Sequence, residues 1–168
     1  MSRFVPGPNT ARQFRTALGR FVTGVTVVTC HSEKGPLGIT ANSFASVSLD
    51  PPLVLWSPAK SSSRHDAFLE AENFVIHVLD RSQASICAQF TKDGFNFKGL
   101  DLSSEVVNAP LIQGCLAHFE CRRFAAHDAG DHTVILGEVL SAATRDGAPL
   151  VFSAGVLGRF EEGIAEKA

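Results

Sequence analysis

The sequence predicts a mainly β fold, an antiparallel barrel with a few short helices at its periphery. Three observations carry this. The apolar segments are short and rich in Val, Ile and Thr, as half-buried strands require. Consecutive segments are joined by turns too short to hold a crossover helix, so neighbours run antiparallel. Only two or three stretches carry helical signals, and each is short.

The elements follow in order. Residues 1–9, with Pro6 and Pro8, read as an extended arm, residues 10–160 as one folded domain, and residues 161–168 as a fraying tail. Thr10 and Gln13 have capping-box spacing, and Phe14, Ala17, Leu18 and Phe21 share one helical face, so a helix is expected up to Gly24. Strands are expected at "GVTVVTC" (Gly24–Cys30), at "GITANSFASVSLD" after the turn His31–Pro36, and at "LVLWS" after Pro51-Pro52. Ser63 with Asp66 marks a second helix start. "NFVIHVL" (Asn73–Leu79) is the next strand, and Asp80 with Gln83 caps a third helix reaching Phe90. Residues 91–114 read as irregular, broken by Gly94, Gly99 and Pro110. Two long strands flank "HDAGD", and Ala148–Phe160 reads as a last strand.

Composition narrows the function. The chain has 168 residues, 45% of them hydrophobic, and a formal charge of −2. That length buries roughly 70% of the unfolded surface and suits a single domain. The near-neutral balance, with pI near 6.3, argues against a nucleic-acid or acidic-membrane binder. No apolar run is long enough to span a bilayer, and the first residues lack an apolar signal region. The four cysteines at 30, 87, 115 and 121 read as reduced thiols of a cytoplasmic protein.

Three stretches carry candidate chemistry. In "GITANSFASVSLD", period 2 puts Ile39, Ala41, Ser43, Ala45, Val47 and Leu49 on one face, which suits a core. Thr40, Asn42, Phe44, Ser46 and Ser48 fall on the other, which is either a solvated face or a bed for a flat polar ligand. "SPAKSSSRHD" places Lys60 and three serines before a helix start, either a plain polar loop or an anion site built from free N–H groups and a cation. "AGDH" puts His132 at a strand mouth, where an imidazole packs on a ring or moves a proton. His77, between apolar neighbours, reads as a partnered core histidine, and His65 as a neighbour of the anion loop. Cys115, His118 and Cys121 do not share a strand face, so they make no metal site. The chain contains no G-x-G-x-x-G, no phosphate loop of the G-x-x-x-x-G-K type and no G-x-S-x-G elbow, so Rossmann dehydrogenases and α/β-hydrolases fit poorly.

In order and spacing, "TANSFASVSLDPP", "KSSSRH", "NFVIHVL", "GDHTVILGEV" and "PLVF" resemble the flavin reductase family over roughly residues 11–160. The resemblance implies an FMN-binding split barrel, generally a homodimer. It implies an NADH- or NADPH-dependent reductase that delivers reduced FMN or FAD to a separate monooxygenase. Thr40, Ala41, Asn42 and Ser43 would then lie along the flavin ring. Ser57, Pro58, Lys60, Ser61, Ser62 and Ser63 would follow the ribityl chain and phosphate, and Phe90 and Phe97 would touch the flavin. His132, with Gly130 and Asp131, would place the nicotinamide, and Arg159 would stand near the same mouth. The family often has a charged pair where Phe95-Asn96 stand, and "G-R-Y-G" where this chain has "GVLG". A non-catalytic FMN carrier is the alternative, and a split-barrel oxidase the third reading.

Overall fold

A computed structural model describes residues 3–104 and 106–161. A 3-10 turn at Pro8–Thr10 leads into α1 (Ala11–Leu18). β1 (Thr23–Gly24), β2 (Thr26–Ser32), β3 (Gly35–Ala41), β4 (Ala45–Leu49) and β5 (Pro52–Trp56) follow, then α2 (His65–Glu70), β6 (Asn73–Val78) and α3 (Ala84–Lys92). The small hairpin β7 (Leu102–Ser103) and β8 (Leu111–Ile112) precedes the long hairpin β9 (Ala117–Ala129) and β10 (His132–Thr144). β11 (Leu150–Ser153) and β12 (Val156–Arg159) close the described chain.

Seven strands form one antiparallel sheet in the order β3-β2-β6-β9-β10-β5-β4. β3 and β4 are consecutive in the chain yet lie at opposite edges. In a flat sheet the six gaps between them would separate these edges by about 29 Å. The link Asn42–Phe44 reaches at most about 15 Å. The sheet must therefore curl until its edges meet, which makes it a barrel with its seam at residues 42–44. The Ser43 hydroxyl straps this seam: it accepts from Ser57 N–H at 2.9 Å and donates to Ser57 O at 3.3 Å.

β2 is buried on both faces. Val28 and Cys30 join the barrel core with Leu37, Trp56, Phe68 and Ile76. Val27 instead packs with Leu79, Cys87, Phe90 and Ile112 in a second cluster beside α3. His77 fixes the join, donating from Nδ1 to Val27 O at 3.0 Å and accepting Ile112 N–H on Nε2 at 2.9 Å. Both bonds suit the neutral ring, and burial pulls its pKa down to about 4. All four cysteines are buried free thiols. Burial pushes Cys30 and Cys121 up to about 12 and Cys115 up to about 11.

The Asp80–Gln83 capping box forms as expected. Four sequence expectations change. α1 ends at Leu18, and Thr10 does not cap it, because its hydroxyl donates to Val5 O and Gly7 O. α2 begins at His65 rather than Ser63. The stretch after Gly38 does not keep one inward face. At the seam the chain changes partner from β2 to β5, so the alternation restarts. Phe44 turns to the core and stacks with Phe119 at 5.4 Å, while Leu49 is 96% exposed. Ala148–Phe160 is a hairpin rather than one strand, since Ala154 and Gly155 take φ of 50° and 86°. The expected tail lies, apart from Glu161, outside the described residues. Among the described residues no helix is long and apolar enough to cross a membrane.

Candidate active site

A cleft of about 770 Å³ opens along the outer edge of β3. Ile39, Thr40, Ala41 and Asn42 form one side, and Cys87, Phe90 and Thr91 of α3 another. Ser62, Ser63 and Arg64 close one end, and Phe152 and Leu157 of the terminal hairpin border it as well.

The edge position of β3 gives the cleft its chemistry. Gly38 N–H donates outward to Gly94 O at 2.8 Å, and Gly38 O accepts outward from Arg64 Nη1 at 3.3 Å. In an antiparallel ladder the residue two positions on presents its backbone groups to the same side. Thr40 therefore turns its N–H and C=O to the open side, and neither has a partner among the described residues. Its hydroxyl is occupied, donating to Cys87 O at 2.9 Å and tying β3 to α3. Ala41 O accepts from the Thr26 hydroxyl at 2.7 Å, and Asn42 is exposed with no hydrogen-bond partner for its side chain among the described residues. The result is a floor of small side chains beside an unspent backbone edge, which fits the hydrogen-bonding rim of a flat heteroaromatic ring.

The expected residues divide into two groups. Thr40, Ala41, Asn42, Ser62, Ser63 and Phe90 line the cleft. Ser43 does not, because it straps the seam to Ser57. Pro58 is buried and accepts Thr133 N–H at 3.1 Å, and Ser61 is exposed on the turn. Phe97 stands behind Phe90, edge to face at 4.9 Å. Gly130, Asp131 and His132 lie on the β9–β10 hairpin, beside the turn but outside the cleft lining. Arg159 ends β12, exposed, 3.5 Å from Glu161.

Lys60 also turns away from the cleft. Its ammonium donates to the Asp128 carboxylate and to Gly130 O at 2.7 Å, and its N–H donates to Asp131 O at 2.9 Å. Its hydrogen bond, and then its charge, hold the Asp128 carboxyl below the ordinary range. The cations at the cleft are Lys92 and Arg64, the latter held by Gly38 O and Phe90 O. The sequence carries the signal for this cation, a basic residue directly after three serines, whereas the expected Lys60 is spent on the hairpin.

The hairpin and the serine turn form one interlocked unit. Ala59 bridges His132, and buried His65 meets the Thr133 hydroxyl at 2.9 Å. His132 Nδ1 lies 2.8 Å from Asp131 Oδ1, and the imidazole holds that carboxyl below its usual range. A neutral ring that donates Nδ1–H to that carboxylate offers Nε2 as an acceptor. Burial raises the Cys87 thiol, so it is no nucleophile. The cleft is built to bind and orient rather than to attack.

Residues 18–161 match the family model described as a flavin reductase like domain. The chain is 64% identical over 157 residues to the FMN reductase (NADH) SmoA of Agrobacterium fabrum, covering 94% of this chain and 90% of that protein. It is 41% identical to HsaB of Rhodococcus jostii, the reductase subunit of a flavin-dependent monooxygenase, over 86% of this chain and 75% of that one. The NADH:FAD oxidoreductase SgcE6 of Streptomyces globisporus superposes with a TM-score of 0.89 at 36% identity, over 100% of this chain and 98% of that one. The same enzyme solved with NAD and FAD fragments gives 0.88 at 37% identity, over 96% and 99%. Agreement at that level across almost the whole chain, in sequence and in fold, makes this protein a member of the flavin reductase-like domain family.

Proposed function

We propose that the protein is an NADH-dependent flavin reductase that takes FMN, with FAD as the alternative acceptor, and supplies reduced flavin to a separate monooxygenase. The unspent backbone edge at Thr40, above the small floor of Ala41 and Asn42, carries this reading. NADH is preferred to NADPH because it is the donor named for SmoA and SgcE6.

A bound flavin supplies the ability to accept a hydride from a dihydronicotinamide. The chain supplies position. Thr40 N–H and C=O would meet the polar edge of the ring, where the backbone N–H would stabilise developing negative charge. Ser62, Ser63 and Arg64 would hold the phosphate. His132 Nε2 would accept an N–H from the nicotinamide carboxamide and orient the reductant. No side chain need exchange a proton for this transfer.

A second copy of the chain completes the protein in this reading. α1 buries none of its residues, and Phe14, Leu18, Phe21 and Val22 are 43–78% exposed. Such a continuous apolar face fits an interface between copies. The setting proposed is the cytoplasm.

The test mixes purified protein, NADH and free FMN, FAD or riboflavin, and follows NADH loss by the absorbance of the reduced nicotinamide. Flavin-dependent consumption is expected. Tight FMN binding without NADH consumption would instead mark a carrier.

A further inference from the structure

His65 is a buried imidazole that the proposed reaction does not use. It is 7% exposed, and both of its ring nitrogens are engaged. Nδ1 lies 2.8 Å from the Asp66 carboxylate, and Nε2 lies 2.9 Å from the Thr133 hydroxyl. A neutral ring that donates Nδ1–H to Asp66 accepts the hydroxyl on Nε2. Thr133 is buried as well, and it directly follows His132 in β10.

His65 thus stands between two parts of the proposed site. On one side is the serine turn. Ser62 N–H donates to Ala59 O at 3.0 Å, Arg64 N–H to Ser62 Oγ at 3.2 Å and His65 N–H to Ser62 O at 3.0 Å. These bonds make Ser62 to Arg64 one tight unit with His65 at its end. On the other side is the β9–β10 hairpin. There Thr133 N–H donates to Pro58 O at 3.1 Å and Lys60 N–H to Asp131 O at 2.9 Å, bracketing the bridge between Ala59 and His132. The Lys60 ammonium adds an exposed link to Asp128. The bond from His65 to Thr133 is a buried side-chain link between turn and hairpin, where water competes least.

We propose that His65 is a positioning residue that couples the two ends of the site: a phosphate held by the serine turn fixes His65 and, through Thr133, fixes His132 for the reductant. The proposal rests on the flavin reductase reading and deepens it. FMN has the phosphate and riboflavin lacks it, so a flavin tail remote from the reacting atoms would improve the use of NADH. The ordering of the hairpin is then met on flavin binding rather than when NADH arrives.

KM for NADH is measured on the full chain at saturating FMN and at saturating riboflavin. In the wild type it should be lower with FMN by about five-fold or more. In His65→Asn the side chain is too short to reach Thr133, and Thr133→Val has no hydroxyl, so both should abolish the difference. His65→Gln, whose amide reaches the Nε2 position, and Thr133→Ser should keep it. A merely structural loss would raise KM with both flavins alike and leave their ratio unchanged. A second readout needs no NADH: FMN, but not riboflavin, should slow hydrogen exchange of the Lys60 and Thr133 amides several-fold in the wild type and not in His65→Asn. Equal KM with the two flavins in the wild type, or a difference that survives in His65→Asn and Thr133→Val, overturns the proposal. Protection of the two amides by FMN in His65→Asn overturns it as well. Absence of NADH consumption with any flavin sinks the flavin reductase reading instead, and the exchange measurement then still decides the coupling.

Discussion

Gly38→Ala is the most informative single perturbation of the cleft. A methyl at this position would lie 2.5 Å from Phe90 Cδ1, closer still to Cε1, and 3.2 Å from Cζ. Ordinary carbon contacts begin about 1 Å further out. Phe90 has little room to yield: it is fully buried among Val25, Val27, Leu79 and Cys87, with Phe97 edge-on to its ring. Overpacking of this kind costs about 1–3 kcal/mol. For a chain of this length each kcal/mol lowers Tm by about 2–4 °C, so a fall of roughly 2–12 °C is expected. The alternative response, a shift of β3 away from α3, moves the Thr40 edge and weakens FMN. Thermal melts and FMN titration of Gly38→Ala read both effects. Phe90→Leu tests the cause, because a smaller side chain makes room for the methyl. The double variant should then be more stable than the sum of the single losses by about 0.5–3 kcal/mol. Wild-type Tm and FMN affinity in Gly38→Ala, or strict additivity in the double variant, would refute the argument.

The remaining predictions concern the hairpin, a cation at the cleft and the buried histidine. His132→Ala should raise KM for NADH several-fold and leave FMN affinity nearly unchanged; unaltered steady-state kinetics remove His132 from the site. Lys60→Ala breaks a solvent-exposed pair, so stability barely moves, and FMN and riboflavin should weaken alike because the ammonium acts on the hairpin. Arg64→Gln, by contrast, should weaken FMN more than riboflavin, which has no phosphate, and equal losses would take Arg64 off the tail. His77 is held neutral by a pKa lowered to about 4. The unfolded chain binds a proton near pH 6.5, so stability contributed by His77 is complete above that pH and declines as pH falls toward 4. Chemical denaturation of wild type and His77→Gln across this range checks it: the wild type should lose the more stability on acidification.

Much of the barrel was legible because strands advertise themselves locally. "NFVIHVL" and the segments flanking "HDAGD" fall close to β6, β9 and β10, and Asp80 with Gln83 marks a cap that forms. The seam was not legible. Period 2 is a property of one strand, and nothing in "GITANSFASVSLD" states that the chain leaves β2 for β5 halfway. Phe44 thereby exchanges places with Val47 and Leu49 relative to the local pattern. The site split along the same line. Thr40 to Asn42 and Ser62-Ser63 sit within short motifs and reach the cleft together. Lys60 looked free because its partner, Asp128, is 68 residues away. The α1 face shows the converse limit, since a helical stripe of Phe14 and Leu18 reveals apolar spacing but not what covers it.

The three sulfurs submerged away from the cleft, those of Cys30, Cys115 and Cys121, matter for a catalyst of the proposed kind. Its product reacts with dioxygen, and hydrogen peroxide is then generated beside the protein that made it. Peroxide attacks the thiolate form, and groups raised to about 11 or 12 hold almost none of it near neutrality. By keeping Cys30, Cys115 and Cys121 protonated and buried away from the cleft, the fold equips the enzyme to outlast its own chemistry.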